Sequence, residues 1–146
     1  MLLAIPLKGF PGVLSSIKPD LNGKIVLDAM NPFPGRDGDV ANDILNRGIA
    51  SGVATQEQLP DAKVAGVFSS VYYKVLQSEA HRPGDRIAIP YAADDDEARE
   101  VAQKLIADAG FDPYFLGTLS ESKPLDPGGM LFTESYTSRE MEEVLS

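Results

Sequence analysis

The chain has 146 residues, 43% hydrophobic and 24% charged, the composition of one globular domain with room for a core. Lys plus Arg number 13 against 22 Asp plus Glu, and the resulting net charge of −9 argues against nucleic acid or an anionic membrane as the main partner. The absence of cysteine removes disulfides, thiolate metal sites and thiol nucleophiles together.

No apolar stretch approaches the length of a membrane span, and MLLAIPLKG lacks a basic n-region and is too short in its apolar run for a signal peptide. A cytoplasmic location and a single domain over 1–146 are the expectation. There is no internal repeat or low-complexity linker.

Leu2-Leu3-Ala4-Ile5 is an unbroken apolar run stopped by Pro6, which reads as a strand of a parallel sheet. Pro11 suits the first turn of a helix running to about Ile17, with Val13, Leu14 and Ile17 on one face. The stretch Gly23–Pro34, GKIVLDAMNPFP, then organises the chain. Lys24-Ile25-Val26-Leu27 has the pattern of a strand buried on both faces, and Asn31-Pro32 ends it, because Pro32 donates no ladder bond and disfavours a helical Asn31. The first 30 residues form a β-α-β unit.

Gly35–Gly38 reads as a polar loop, with Arg36 as a phosphate candidate against the plainer reading of a solvated arginine. Val40, Ile44 and Leu45 suggest a short helix ended by Gly48. Thr55-Gln56-Glu57-Gln58 resembles a capping box opening a further short helix. Lys63–Phe68 is a third strand, and Ser69-Ser70 follows at its carboxyl end. Ser70 is a candidate N-cap for a helix that turns Val71, Val75 and Leu76 inward. His81 stands alone in SEAHRPGD, without the partners a triad or metal site needs, and reads as a surface residue.

Arg86–Tyr91 is a fourth strand, its Pro90 suggesting an edge or a strand end. Asp94-Asp95-Asp96 reads as a helix start rather than a metal cluster, since consecutive side chains there do not converge on one ion. Ala98, Val101, Leu105, Ile106 and Ala109 are the expected apolar face of that helix, ended by Gly110. Asp112–Gly117 is a fifth strand. Met130-Leu131-Phe132 is an apolar segment set to pack on the sheet or a partner, and Ser138–Leu145 is a terminal helix. The fold class is thus α/β, a mostly parallel, Rossmann-like doubly wound sheet of five strands with flanking helices.

The segments LLAIP, GKIVLDAMNPFP, LPDAKVAGVF, ADDDEAREVAQKLIADAGFDP and LGTLSESKPLDP, in this order and spacing, resemble successive blocks of the NADP oxidoreductase family that includes coenzyme F-420 (deazaflavin)-dependent enzymes and predicted NADPH-dependent reductases. The resemblance runs from Leu2 to about Pro127. The chain departs from the family pattern in three places. The Gly-rich GxGxxG turn that holds a pyrophosphate is absent, and roughly the first 60 to 70 residues of a typical member have no counterpart, so the fold is expected to be incomplete. Ser69-Ser70 stands where the family often has His or Asn followed by Thr, and PLDPGG differs from the usual apolar helix start.

The resemblance implies NADP(H) lying across the strand ends, with Ile5, Pro6 and Gly9 at the first, Asn31 and Pro32 at the second, and Ser69 and Tyr73 at the third. It implies Ile5 on the nicotinamide face, close backbone approach at Gly9, and Asn31 on the carboxamide or ribose. A deazaflavin or flavin is the implied hydride acceptor. The cofactors carry such chemistry, so no catalytic side chain is named and no metal is expected. The competing expectation is a non-enzymatic α/β module, inactive alone, that binds a partner supplying the missing half. A third is an unrelated flavodoxin-like domain. With its first strand at a bare sheet edge, the chain is expected to be a homo-oligomer or to need a partner chain.

Overall fold

A computed structural model describes residues 1–146. Five strands form one sheet in the order β1-β2-β3-β4-β5: β1 is Leu2–Leu3, β2 Ile25–Asp28, β3 Lys63–Val67, β4 Ala88–Ala93 and β5 Asp112–Gly117. Three neighbouring pairs are parallel, and only β3 and β4 are antiparallel. Parallel neighbours need a crossover, and right-handed crossovers from β1 to β2 to β3 put their helices on one face. Helices α1 (Phe10–Ile17), α2 (Pro34–Asp37), α3 (Asp39–Arg47) and α4 (Ser51–Gln58) make those crossovers. Leu7, Phe10, Leu14, Ile44 and Leu59 join Leu3, Val26 and Val64 in the core on that side.

The opposite face carries α6 (Asp96–Asp108), whose Ala98, Ala102 and Ile106 pack on Leu27, Ala65, Val67, Ile89 and Tyr91. Short α5 (Tyr73–Ser78) lies beside it, and α7 (Ser138–Leu145) packs Met141 against Ala88, Leu125 and Leu131. The doubly wound arrangement is therefore present, with one antiparallel pair. No helix is long and apolar enough to cross a membrane.

Several local expectations are corrected. The first strand is two residues, not four; it lies at the sheet edge, as expected, with Leu2 51% exposed. Pro34–Asp37 is a helical turn rather than a loop, because Pro34 opens it and Asp37 accepts from the Phe33 amide. Thr55 opens no helix. It sits within α4, and its hydroxyl goes to Asp28. Ser70 is not an N-cap, since α5 begins at Tyr73, and the Ser70 carbonyl accepts from the Thr133 amide instead.

Pro90 lies inside β4, between two neighbours. The register pairs β4 with β3 only from Tyr91 onward, and the neighbouring Ala88 amide donates to Tyr136 rather than to a strand. Pro90 therefore gives up no ladder bond to β3. On α6 the inward phase is Ala98-Ala102-Ile106, and Val101 and Leu105 are exposed. The helix start is as read: the Asp95 carboxylate caps it by accepting from the Ala98 amide at 3.1 Å.

Candidate functional site

Three parallel strands, β1, β2 and β3, deliver their carboxyl ends to one side of the sheet, the place where ligands bind in open α/β folds. The turn after β2 is built by two buried acids. Asp28, the last residue of β2, accepts from the Met30 amide at 2.8 Å, an Asx-type turn that bends the chain toward Asn31. Asp37 accepts from the Phe33 amide at 2.9 Å, from the Lys8 amide at 3.1 Å, and from Arg36 Nε and Nη2 at 2.9 Å each. One carboxylate thus ties the segment after β1 to the segment after β2. Hydrogen bonding from Arg36, then from those amides, holds the Asp37 carboxyl at about 2.

Asn31 sits between these anchors. Its Nδ2 donates to the Ser69 carbonyl at 2.7 Å, joining the ends of β2 and β3, and its carbonyl accepts from Arg36 Nη2 at 2.9 Å. Its Oδ1 is buried with no hydrogen-bond partner. An unpaired buried acceptor costs about 1–3 kcal/mol, so it is a feature that a fold built for stability alone tends to remove. Pro32 beside it is fully buried. The next residue after β3, Phe68, has φ +64, a left-handed conformation that is an outlier for a bulky side chain.

The rim comes from the C-terminal segment. The Thr133 amide donates to the Ser70 carbonyl at 2.7 Å, and the Phe132 ring meets Phe33 edge-on at 6.0 Å between centroids. The Arg36 guanidinium lies over the Phe33 ring, 4.9 Å from its centroid. Arg36 is thus a tether for the β2 turn, with its charge paired to Asp37.

Of the residues implied by resemblance, the structure brings Asn31 and Ser69 into contact. Ile5 is half-buried against the α1–α4 side of the core, and Pro6 and Gly9 are exposed just beyond β1. Gly9 has φ −83, and a Cβ there meets nothing within 4 Å, so the fold itself does not demand glycine at this position. Tyr73 points elsewhere. It is 57% exposed, stacks edge-on with Tyr72 at 4.9 Å, and lines an open groove of about 530 Å³ on the α6 side of the sheet. That groove, bounded by Leu2, Ala4, Phe68, Leu76 and Phe111 among others, has only apolar residues in its wall.

A second buried polar system lies beneath the strand ends. Asp28 Oδ2 accepts from the Thr55 hydroxyl at 2.6 Å, and Thr55 also approaches the Ser51 carbonyl at 3.4 Å. Ser51 in turn donates its amide at 2.9 Å and its hydroxyl to Asp126. Burial pushes the Asp28 carboxyl from 3.8 to about 6, against the Thr55 and Met30 hydrogen bonds and with Asp126 adding repulsion. Burial also raises Asp126. Sequence reading missed these four residues. The one signal available was an acid at the end of an apolar strand. The acidic run is accounted for: Asp94 accepts from the Leu119 amide at 2.9 Å, and Asp95 caps α6. His81 is exposed at φ +57, its amide bonded to the Gly110 carbonyl.

No protein-family model matches the sequence, and no curated protein does. Solved structures do share the fold. A hypothetical protein from Sinorhizobium meliloti matches over 93% of this chain and 65% of its own, at 25% identity and a TM-score of 0.73. A proposed F-420-dependent NADP reductase from Arthrobacter sp. matches over 89% of this chain and 58% of its own, at 18% identity and a TM-score of 0.67. The fold is therefore Rossmann-like, and the chain spans less than two thirds of either neighbour.

Proposed function

We propose that this chain belongs to a nicotinamide-dinucleotide oxidoreductase, with NADP(H) bound across the ends of β1, β2 and β3 and a deazaflavin or flavin as hydride acceptor. The observation that carries the reading is Asn31: an amide locked to Ser69 through its nitrogen, with its oxygen left unpaired, at the ends of parallel strands. A nicotinamide carboxamide presents the donor that this oxygen lacks. Oδ1 is enclosed, so the donor reaches it once the Asn31 side chain turns outward. The resemblance of the sequence blocks and the fold shared with the Arthrobacter protein support the same cofactor class.

When bound, the dinucleotide supplies the hydride. The protein's part is orientation and exclusion of water. Asn31 would hold the carboxamide end, Ile5 and Pro6 would flank the ring, and the open backbone at Gly9 would admit the ribose. Phe33 and Phe132 form an aromatic rim suited to a planar acceptor. The sequence holds no Gly-rich turn for the pyrophosphate, so these residues fit the nicotinamide end of the cofactor and not the other. Calorimetric titration with NADPH tests the reading. Heat of binding that is reduced in Asn31→Ala supports it, and no binding at any concentration removes it.

A second reading rests on a different observation. The apolar groove beside the unpaired edge of β1 is the kind of surface that another chain covers. In that reading the chain is an α/β module that acts only with a partner, either another copy or a chain bringing a further β-α unit.

A further inference from the structure

We infer that Asp28 is a positioning residue for the strand-end site: its carboxylate fixes the turn that carries Asn31, and the Thr55 hydroxyl is the hinge that lets it loosen that turn when it takes a proton. The inference rests on the strand-end reading above for its functional meaning, but its structural part stands on geometry alone.

Asp28 is 2% exposed, and each of its oxygens has a separate task. Oδ1 holds the Met30 amide, one residue before Asn31, and Oδ2 takes the Thr55 hydroxyl. Packing alone does not call for an acid here, because an isolated buried carboxylate is costly. Asparagine in its place offers one acceptor oxygen, and so satisfies only one of the two donors. The ionised carboxylate is the form that holds both.

The alternative state is already laid out. Thr55 Oγ1 lies 3.4 Å from the Ser51 carbonyl, one turn back on α4. A proton added to Asp28 Oδ2 turns that oxygen from acceptor to donor. Thr55 then accepts from it and gives its own hydrogen to Ser51. The protonated carboxyl keeps Oδ1 as a neutral acceptor, which holds the Met30 amide less strongly than an ion does. The groups facing Asp28 are Thr55 from α4 and Met30 from its own turn, and the one charge acting on it is that of Asp126. Asp126 lies across Ser51 and anchors the segment that leads to Phe132 and Thr133. Proton uptake at Asp28 thus touches the β2 turn directly and the rim through α4.

The test reads the turn without any ligand. Resonances of the Met30 amide and the Asn31 side-chain NH2 are followed against pH in the intact chain. They should move together with a midpoint near pH 6, and stay fixed in Asp28→Asn. Thr55→Val, which removes a hydrogen bond favouring the ion, should shift the midpoint upward, and Thr55→Ser should restore it. Resonances that do not titrate, or that titrate unchanged in Asp28→Asn, overturn the inference. Should Asp28→Asn fail to fold, an unmoved midpoint in Thr55→Val overturns it equally. NAD+ is the second probe, chosen because the 2′-phosphate of NADP+ itself titrates near this pH. Its affinity should fall about fivefold on acidification, the worth of one ordinary hydrogen bond. Titrating resonances without NAD+ binding at any pH remove the cofactor reading and uphold the turn linkage.

Discussion

Asn31 Nδ2 donates to the Ser69 carbonyl at 2.7 Å, across 38 residues of sequence, and this bond closes the end of β2 onto the end of β3. It orients the amide so that the nitrogen is satisfied and Oδ1 is not. The same turn is held from below by Asp28 and from the side by Asp37, so the position of Asn31 is over-determined. Such support fixes the backbone that carries Asn31, from which the side chain turns outward to meet a ligand.

The Asp37 tie predicts a stability effect. Asp37→Ala leaves the Lys8 and Phe33 amides without their acceptor and Arg36 without its carboxylate, holding only the Asn31 carbonyl and the Phe33 ring. The expected loss is about 3 kcal/mol, seen as a fall in melting temperature of about 10 °C. Asp37→Asn should recover part of it. A variant as stable as the parent would show that the tie is dispensable.

The two buried acids give stability opposite pH slopes. Asp28 is raised from 3.8 to about 6, so its contribution is whole below pH 3.8 and is lost as pH rises toward 6, a change of up to about 3 kcal/mol. Asp37 is lowered to about 2, so its contribution is present above pH 3.8 and is lost as pH falls toward 2. Denaturant unfolding at intervals from pH 4 to 7 should show a declining limb that is reduced in Asp28→Asn, leaving the slope of the same sign that the raised Asp126 also gives. A limb unchanged in that variant would assign the slope to other groups.

The acidic run predicts indifference to divalent metals. Asp94 and Asp95 are committed to the Leu119 and Ala98 amides, and Lys63 pairs with Asp95 and Glu97. Added Mg²⁺ or Ca²⁺ should leave the melting temperature unchanged, since only a ligand preferring the folded state raises it. A clear rise would mean that these carboxylates reorganise around an ion.

The open apolar groove predicts association. Sedimentation velocity of the isolated chain should show self-association that grows with concentration, and Leu2→Lys should reduce it by placing a charge on the unpaired edge. A monomer at all concentrations would show that the groove tolerates water.

Much of the fold was legible because the strands are short, uninterrupted apolar runs bounded by Pro, Gly and Asp. The runs read at Lys24–Leu27, Lys63–Phe68 and Asp112–Gly117 fall within a residue or two of the strands seen. The helix start at Asp95 was legible because capping is local chemistry. What failed was long-range. Thr55 looked like a cap from its neighbours, but its partner is Asp28, 27 residues away. Ser70 looked like a cap, but its carbonyl serves Thr133. The edge position of β1 was legible only through the resemblance, since LLAI carries the pattern of a buried strand. At the site, Asn31 was named because Asn-Pro ends the organising strand, and the structure places its amide against the Ser69 carbonyl. Asp28 and Asp37 were passed over because nothing local shows that a carboxylate is buried until its amide donors are in place.

The central claim is that the strand ends present Asn31 to a nicotinamide cofactor, and calorimetric titration of NADPH into the chain and into Asn31→Ala tests it most directly. The account predicts weak but saturable binding to the parent, for want of a pyrophosphate turn, and a further loss of about 1–3 kcal/mol in the variant with its fold intact. Identical affinities in the two proteins, or no binding to the parent, would contradict it.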